Sequence, residues 1–310
     1  MLLLGALGIV TLTIALAALS AISAEAYAGV PRDVALRSPA YAASRLLRQR
    51  RRRTVASDRI LLAIAVAGLL PTAVLMAGLV PVGDSGRGVL LASSVGIVWL
   101  NTLDIAAWAL VWLLGWGPNA VTGLVGGYRF LAQALAYELP LMFALTAPAI
   151  AAGSLDLAVV AEAQTAPYAL WMPVAFAAYC LGVLGFSLRG PLASPTTPDL
   201  DGGVLAELSG TDALLVRVGR HALLGAGALA GVPLFLAGSS GPLLPGWIWV
   251  LLKAGLLTVA LAWAASRLPA VRPDRLFAAA WTWLLPAVLV QLIVVSVAAQ
   301  AGLTAAGAGG

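Results

Sequence analysis

The sequence is poor in charge, cysteine and histidine, and these shortages exclude several classes of protein. Only 10% of the 310 residues are charged, whereas 61% are hydrophobic, and the mean hydropathy is +0.98. A water-soluble domain of this length does not have such a composition. The single cysteine, Cys180, lies in an apolar segment, so this chain alone cannot build disulfide frameworks or iron–sulfur and zinc sites. We interpret Cys180 as a small buried hydrophobic residue.

Familiar catalytic motifs are missing as well. The chain has no Walker A sequence, no G-x-G-x-x-G, no H-E-x-x-H and no nucleophile elbow. Its one histidine, His221, begins a predicted span and is interpreted as an interface residue instead of a metal ligand. Redox or hydrolytic chemistry on this chain alone is therefore not expected, and partner subunits must supply it.

Long apolar runs make up most of the chain. A hydrocarbon core about 30 Å thick needs roughly 20 apolar residues in a helix, and runs of that length recur without a long polar block between them. We therefore predict one polytopic membrane domain over residues 1–310, an all-α integral membrane protein with about eight transmembrane helices. The predicted spans are 2–24, 60–82, 89–116, 128–153, 170–188, 221–240, 247–266 and 276–300.

The basic residues fall almost entirely on one side of these spans. Of 18 lysines and arginines, 16 lie in loops that share one face, while Arg87 lies on the other face and Lys253 within a span. The positive-inside rule makes the arginine-rich loops cytoplasmic and puts both termini outside, in the cell inner (cytoplasmic) membrane. The run "RLLRQRRRR" (45–53) is interpreted as a topology anchor that also meets anionic lipid, and nucleic acid is not an expected partner. Because the basic residues follow the first apolar run, an uncleaved first span is favoured over a signal peptide.

Four polar side chains are out of place inside the predicted spans: Asn101, Asp104, Glu138 and Lys253. An aspartate or lysine facing lipid costs roughly 2.5–3.5 kcal/mol, so we expect all four to face protein or water. Asn101 and Asp104 share a helix face, and Glu138 lies about 15 Å into its span, close to the midplane. Lys253 is the expected counter-charge for Glu138 or Asp104. The set is interpreted as a proton or ion path, with interhelical hydrogen bonding as the alternative.

The predicted cytoplasmic loops 29–59, 117–127 and 189–220 are the expected docking surfaces for partners. The glycines of 117–127 permit close packing against a partner surface. The third loop concentrates acids, which do little for topology and therefore indicate another role. These acids are Asp199, Asp201, Glu207 and Asp212.

The stretch "YRFLAQALAYELPL", followed by "AGSLDLAVVAEAQ", carries a family resemblance. It resembles the R-x-x-A-Q-x-x-x-Y-E segment and its AGS…Q sequel in the H subunit of bacterial NADH-quinone oxidoreductase, the counterpart of mitochondrial subunit 1. The segment "WIWVLLKAGLLTVALAWAASRLPAVRPDRLFAAAWTWLLP" is similar to the last two spans of that family, so the resemblance extends over nearly the whole chain. The family also includes the membrane subunit of formate hydrogenlyase and of related membrane-bound nickel–iron hydrogenases.

The resemblance implies roles for individual residues, because the family's acids line a water-filled route from the redox module to the proton-pumping machinery. The predicted proton path contains Glu138, Asp104, Asn101, Lys253 and Glu25, of which the resemblance implies Glu138 and Glu25. The predicted acidic loop contains Asp199, Asp201 and Glu207, of which the resemblance implies Asp199 and Glu207. The implied motif and interface residues are Arg129, Gln133 and Tyr137.

Two departures leave the type of complex open. After Glu25 the family usually has paired arginines and then R-x-G-P-N, where this chain reads "AYAGVPRDVALRSP". The family's E-A-E run between P-F-D-L and the later glutamate is shortened here to "DGG". The expected function is that of the membrane subunit of a complex-I-like NADH-quinone oxidoreductase or a membrane-bound, formate hydrogenlyase-like hydrogenase. Such a subunit is not catalytic alone; it docks the redox module and links electron transfer to proton translocation.

The same resemblance implies partners and cofactors. The expected partners are a large hydrogenase-like or quinone-module subunit, an iron–sulfur subunit, antiporter-like membrane subunits and lipid. No cofactor is expected on this chain, a quinone is expected at the interface, and iron–sulfur clusters are expected in the partners. An autonomous ion-coupled secondary transporter is the alternative, although the sequence shows no matching broken helices in two halves.

Overall fold

The computed structural model describes residues 2–83, 90–196 and 203–302, and within these ranges the chain forms helices and no strand. The predicted all-α fold is therefore confirmed. The helices are α1 (Leu2–Tyr27), α2 (Arg32–Arg48), α3 (Arg59–Gly78), α4 (Gly96–Trp116), α5 (Val121–Ala152), α6 (Leu157–Glu162), α7 (Tyr168–Trp171), α8 (Pro173–Phe186), α9 (Gly210–Phe235), α10 (Gly246–Arg267), α11 (Pro273–Ala279) and α12 (Leu285–Gln300). A π-helical turn, Ala280–Leu284, joins α11 to α12.

In the described parts of the chain, seven helices are long and apolar enough to cross a membrane. They are α1, α3, α4, α5, α9, α10 and the continuous helix Pro273–Gln300. The fifth predicted span, 170–188, is instead the short helix α8 of 14 residues, which is about 21 Å long. The structure thus contains seven candidate spans and one shorter apolar helix, which agrees with a multi-pass membrane protein.

Helices occupy parts of all three predicted cytoplasmic loops: α2 lies within 29–59, and two long helices begin earlier than predicted. Helix α5 begins at Val121 instead of 128, and α9 begins at Gly210 instead of 221. Glycines normally weaken a helix, but these glycines lie where another backbone packs against it. A Cβ on Gly126 would lie 2.4 Å from the backbone nitrogen of Val204. The glycines of 117–127 therefore pack against this chain itself.

The arginine run of the first predicted loop is fastened to the start of α9. The Nε of Arg51 donates to Asp212 Oδ2 at 3.1 Å, and a second nitrogen of Arg51 donates to the other carboxylate oxygen. The backbone nitrogen of Arg52 donates to Ser209 Oγ at 2.6 Å. Asp212 is only 3% exposed. This run is thus a structural contact as well as the topology anchor expected from the sequence.

Helix α9 is the centre of the bundle. It packs against α1, α3, α8 and α10, and every residue from Ala222 to Phe235 is buried. Small residues permit this crowding: a Cβ on Gly227 would lie 2.7 Å from Val183 of α8. The polar residues described next lie on α4 and α5, and one of them, Asp104, lies beside α9.

Candidate functional site

One face of α4 carries the polar residues that the sequence placed inside a span. Asn101, Asp104 and Trp108 are spaced at i, i+3 and i+7, so they follow one another along that face. Asp104 is 2% exposed, and Asn101 and Trp108 are partly buried. Trp108 was not predicted, although the same spacing on the helix could have identified it.

The facing side of α5 supplies the residues of the Y-E motif. Gln133 and Tyr137 are 1% and 2% exposed, and Glu138 is partly buried. The ring of Tyr137 lies against α8, because a Cβ on Gly185 would come within 2.7 Å of it. Helix α4 packs against α5, and Asp104 of α4 interacts with Tyr137 and Glu138 of α5, so the two polar faces meet at these residues.

Many buried polar atoms of these two faces lack a hydrogen-bond partner in the described parts of the chain. The polar cluster consists of Asn101, Asp104, Trp108, Gln133, Tyr137 and Glu138. Within the described ranges, its buried polar atoms without a hydrogen-bond partner are Asn101 Oδ1, both carboxylate oxygens of Asp104, Trp108 Nε1, both amide atoms of Gln133, Tyr137 Oη and Glu138 Oε1. Nearly all buried polar groups in proteins are paired, so a concentration of exceptions indicates a functional or hydrated site.

Asp104 and Glu138 meet across the interface between α4 and α5. Their carboxyl groups are close enough to form a side-chain hydrogen bond when one of them carries a proton. The phenol groups of Tyr137 and Tyr179 lie within electrostatic range of Asp104. The expected partner of Glu138 was a cation on another helix, and the structure places a second acid there instead.

Lys253 does not pair with either acid, so that expectation was wrong. Its Nζ donates to the backbone oxygens of Leu236, Gly238 and Ser240 at 2.7, 2.9 and 2.8 Å. Helix α9 ends at Phe235; Leu236 is its C-capping residue, and the other two carbonyls lie in the turn that follows. A cation at the C-terminal end of a helix also interacts favourably with the helix dipole. Lys253 therefore caps α9.

A small cavity adjoins Asp104. It offers about 20 Å³ to the centre of a water molecule, enough for one water, and Asp104, Tyr179 and Gly227 contribute to its wall. The Oη of Tyr179 donates to the carbonyl of Gly227 at 2.6 Å, which holds the ring against α9. Tyr179 was not predicted, because nothing in the sequence links α8 to Asp104.

Polar side chains lead along α5 from this cluster toward the helix start. Arg129, Gln133 and Tyr137 are spaced at i, i+4 and i+8, so they lie on one face, about 6 Å apart along the axis. Near the first turn, Thr122 Oγ1 donates to Glu207 Oε1 at 2.7 Å. Glu207 is thus placed at the predicted cytoplasmic end of α5. The other two acids of the predicted acidic loop, Asp199 and Asp201, lie outside the described residues.

Glu25 lies at a different place, in a cavity of about 350 Å³ between α1, α2 and α9. Arg189, Arg217 and His221 also line this cavity. The Nδ1 of His221 lies 3.0 Å from Ser20 Oγ. His221 thus lies at a helix interface, as predicted, whereas the grouping of Arg189 and Arg217 around it was not predicted.

Arg189 is an unusual residue in this second cavity. Its Nε is buried and has no hydrogen-bond partner within the described ranges. Burial lowers the pKa of its guanidinium to about 10, because removal from water disfavours the charged form. Nearby Arg220 donates to the carbonyls of Ser187 and Leu188. Three arginines, Arg189, Arg217 and Arg220, therefore lie in or near the wall of this largely apolar cavity.

Metal binding finds no support in the part of the chain that the structure describes. No group of three or more histidine, cysteine, aspartate or glutamate side chains lies close enough to hold an ion there.

Comparison with known proteins gives consistent similarities. A family model described as NADH dehydrogenase matches residues 27–296. The chain is 35% identical over 219 residues to an H subunit of NADH-quinone oxidoreductase from Rhodopseudomonas palustris strain BisB5, covering 69% of this chain and 68% of that protein. It is 32% identical over 248 residues to an H subunit of the same enzyme from Syntrophobacter fumaroxidans, covering 77% and 75%. It is 27% identical over 221 residues to the H subunit from Dehalococcoides mccartyi, covering 71% and 62%.

Proposed function

Because the chain belongs to the NADH dehydrogenase family of membrane subunits, we propose that it links electron transfer in a peripheral redox module to proton movement through the polar cluster of α4 and α5. The observation that carries this proposal is the adjacent pair of Asp104 and Glu138 among buried polar atoms that lack protein partners. The assembly is either a complex-I-like NADH-quinone oxidoreductase or a hydrogenase-type complex in the cell inner membrane.

The carboxyl pair is proposed to share one proton. Two adjacent carboxylates in a low-dielectric interior repel each other strongly, so the pair binds a proton that neither isolated group would hold as firmly. Such a pair takes up and gives back a proton when a nearby charge changes. Tyr137 and Tyr179 add hydroxyl groups that water molecules can bridge.

The route toward the redox module is proposed to follow α5. Steps of about 6 Å separate Arg129, Gln133 and Tyr137 along one helix face, and a single water molecule can bridge gaps of that size between polar groups. Thr122 and Glu207 continue the polar sequence at the helix start. Glu25 and Lys253 are left out of this route, because the first lies in the other cavity and the second caps α9.

The peripheral redox subunits are proposed to dock on the arginine-rich face, and antiporter-like subunits on the membrane-facing helices. Redox centres, including iron–sulfur clusters, then reside in the partners. A quinone, where the assembly uses one, is proposed to bind at the interface with a peripheral subunit. The cavity between α1, α2 and α9 has apolar walls that suit an isoprenoid tail. At its polar end Arg189 and Arg217 supply N–H donors beside the carboxylate of Glu25, and the carbonyl oxygens of a quinone head can accept hydrogen bonds from such donors.

The experiment compares Glu138→Gln and Asp104→Asn in the complex purified in mild detergent and reconstituted into vesicles. Each change should lower redox-linked proton uptake by about 100-fold, the lower end of what a positioned proton-transfer group contributes. The double variant should be no worse than either single one, because residues that act as a unit are not additive. Exposed Glu162, on α6, provides the control: Glu162→Gln should leave uptake unchanged.

Two results would contradict the proposal. Normal proton uptake by the assembled Glu138→Gln complex would reject the role of the carboxyl pair. Purification of the chain without any redox subunit would reject the subunit role and favour an autonomous transporter. The identity of the co-purified large subunit, hydrogenase-like or quinone-module, decides the type of complex.

A further inference from the structure

The ring of Tyr179 lies in a slot on one face of α9. Three residues of that face, Gly227, Gly231 and Phe235, follow one another at intervals of four. The carbonyl of Gly227 accepts the hydrogen bond from Tyr179 Oη at 2.6 Å. A Cβ on Gly231 would come within 3.0 Å of the ring, and the centroid of the Phe235 ring lies 5.3 Å from that of Tyr179. The slot therefore fixes both the hydroxyl and the ring of Tyr179 beside the cavity at Asp104.

Phe235, at the end of the slot, lies in a turn of α9 that lacks one helical hydrogen bond. Pro233 has no backbone N–H, so it cannot donate to the carbonyl of Leu229 as another residue at this position would. Helix α9 ends at Phe235, and Ala237 follows with a positive φ of 56°, which a residue with a Cβ rarely adopts. Phe235 is nevertheless 0% exposed. This turn therefore depends on contacts from outside α9.

Gln164, between α6 and α7, supplies two of these contacts. Its Nε2 donates to the carbonyl of Pro233 at 2.6 Å, and its Oε1 accepts from the backbone nitrogen of Ala237 at 2.9 Å. The same amide donates to one further backbone oxygen and accepts from one further backbone nitrogen, both at 3.2 Å. All four hydrogen-bonding positions of the amide are thus used, and Gln164 is 4% exposed. The two contacts on the end of α9 lie on either side of Phe235 in the sequence.

From these contacts we propose that Gln164 is a positioning residue for the proton site: it fixes Phe235, and Phe235 holds the ring of Tyr179 beside Asp104. This inference rests on the proposed function, because the position of the Tyr179 hydroxyl affects proton movement only if Asp104 exchanges protons. Gln164 acts through two other side chains and carries no proton itself. Lys253 separately holds the carbonyls at 236–240, so the end of α9 keeps one fastening when Gln164 is changed.

The test measures redox-linked proton uptake per assembled complex in vesicles. Gln164→Leu removes four hydrogen bonds at similar side-chain volume, and Tyr179→Phe removes one hydroxyl. Each should lower uptake by about tenfold, the size expected when a group that orients a functional side chain is lost. The double variant should be no worse than Tyr179→Phe alone, because two changes that act through one hydroxyl are not additive. Gln300→Leu makes the same replacement at an exposed position of α12 and should behave as wild type.

Two further variants keep the test decisive where Gln164→Leu does not assemble. Phe235→Leu leaves the bonds of Gln164 in place and removes the ring that touches Tyr179, so uptake should fall by about tenfold, again with no added loss in combination with Tyr179→Phe. Gln164→Glu is the conservative replacement. In its neutral form, which burial favours, a carboxyl group donates to Pro233 O and accepts from Ala237 N, so this variant should retain at least about half of the wild-type uptake.

Three outcomes would overturn this inference. The first is normal uptake by assembled Gln164→Leu or Phe235→Leu. The second is a double variant about tenfold worse than Tyr179→Phe alone, which would make Gln164 a general structural residue. The third is Gln164→Glu that assembles but takes up protons as slowly as Gln164→Leu. Normal uptake by Asp104→Asn and Glu138→Gln would instead reject the proposed function, so the two failures are distinguishable.

Discussion

The contact between Asp212 and the arginine run predicts that one carboxylate keeps residues 49–53 folded against α9. Arg51 engages both oxygens of Asp212, and Arg53 approaches Oδ2 to 3.9 Å. We expect Asp212→Asn to release this segment, because a neutral amide cannot accept the two charge-assisted hydrogen bonds that a carboxylate accepts.

The size of the effect follows from the exposure of the pair. Exposed ion pairs contribute about 0.2–1 kcal/mol, whereas removal of one partner from a buried pair costs about 3–5 kcal/mol. The side chain of Arg51 is 51% exposed and that of Asp212 is 4% exposed, so a value of about 1.5–2 kcal/mol is appropriate. Each 1.4 kcal/mol is a factor of ten, so the detached population should rise about 10- to 30-fold.

Limited digestion with trypsin measures that population directly, because the segment contains four consecutive arginines, Arg50 to Arg53. When reclosing is faster than cleavage, the cleavage rate follows the detached population. Mass spectrometry should therefore show fragments that begin at residues 51–54 forming 10- to 30-fold faster in Asp212→Asn than in the wild type. The control is Asp274→Asn, which breaks the exposed pair with Arg272 at 3.4 Å and should change the rate little. Equal cleavage rates in wild type and Asp212→Asn would refute the reasoning.

Two further predictions concern packing. Lys253→Met should lower the thermal midpoint of the complex, because the carbonyls at 236–240 lose a charged hydrogen-bond donor. Each such hydrogen bond contributes about 1.5–3 kcal/mol, less where solvent reaches it. Proton uptake per folded complex should stay normal, and loss of uptake at unchanged stability would contradict the capping role. Gly126→Ala should destabilise by about 1–3 kcal/mol, because its Cβ meets the backbone at Val204, which cannot rotate away. Gly8→Ala is the matched control, since a Cβ there has nothing within 4 Å, and equal thermal midpoints for both alanine variants would show that the contact at Gly126 is not a tight one.

The sequence predicted the helices and the polar residues better than their partners. Apolar length identified the long membrane helices, and the cost of burying charge singled out Asp104 and Glu138 before any contact was known. The sequence did not show that Asp104 and Glu138 face each other, because the hydropathy of α4 and α5 does not depend on which helices pack against them. The expected pairing with Lys253 failed for a related reason: backbone carbonyls at a helix end attract a cation as a carboxylate does, and composition does not reveal them.

Contacts between distant parts of the chain were equally hidden. Arg51 and Asp212 are separated by 161 residues, and both stood in segments assigned to loops. The glycines before 128 indicated a turn by local propensity, yet Gly123, Gly126 and Gly127 lie in α5, where another backbone packs closely against them. The cavity at Arg189 arises from three helices and a loop that meet only in the folded chain. The roles of the predicted site residues in proton movement stay predictions until the variants are measured.

The short helix α8 packs against α5, α9 and α12, and Ala178, Tyr179 and Gly182–Phe186 are all buried, whereas Pro173 and Ala177 are exposed. A helix that touches lipid along its length must match the thickness of the bilayer or tilt, but a short helix held mainly by its neighbours is less constrained. Changing the chain length of the surrounding lipids should therefore strain the outer helices more than the Tyr179 side of the proposed proton site. The outer helices can thus adapt to the host membrane while α8 keeps its geometry.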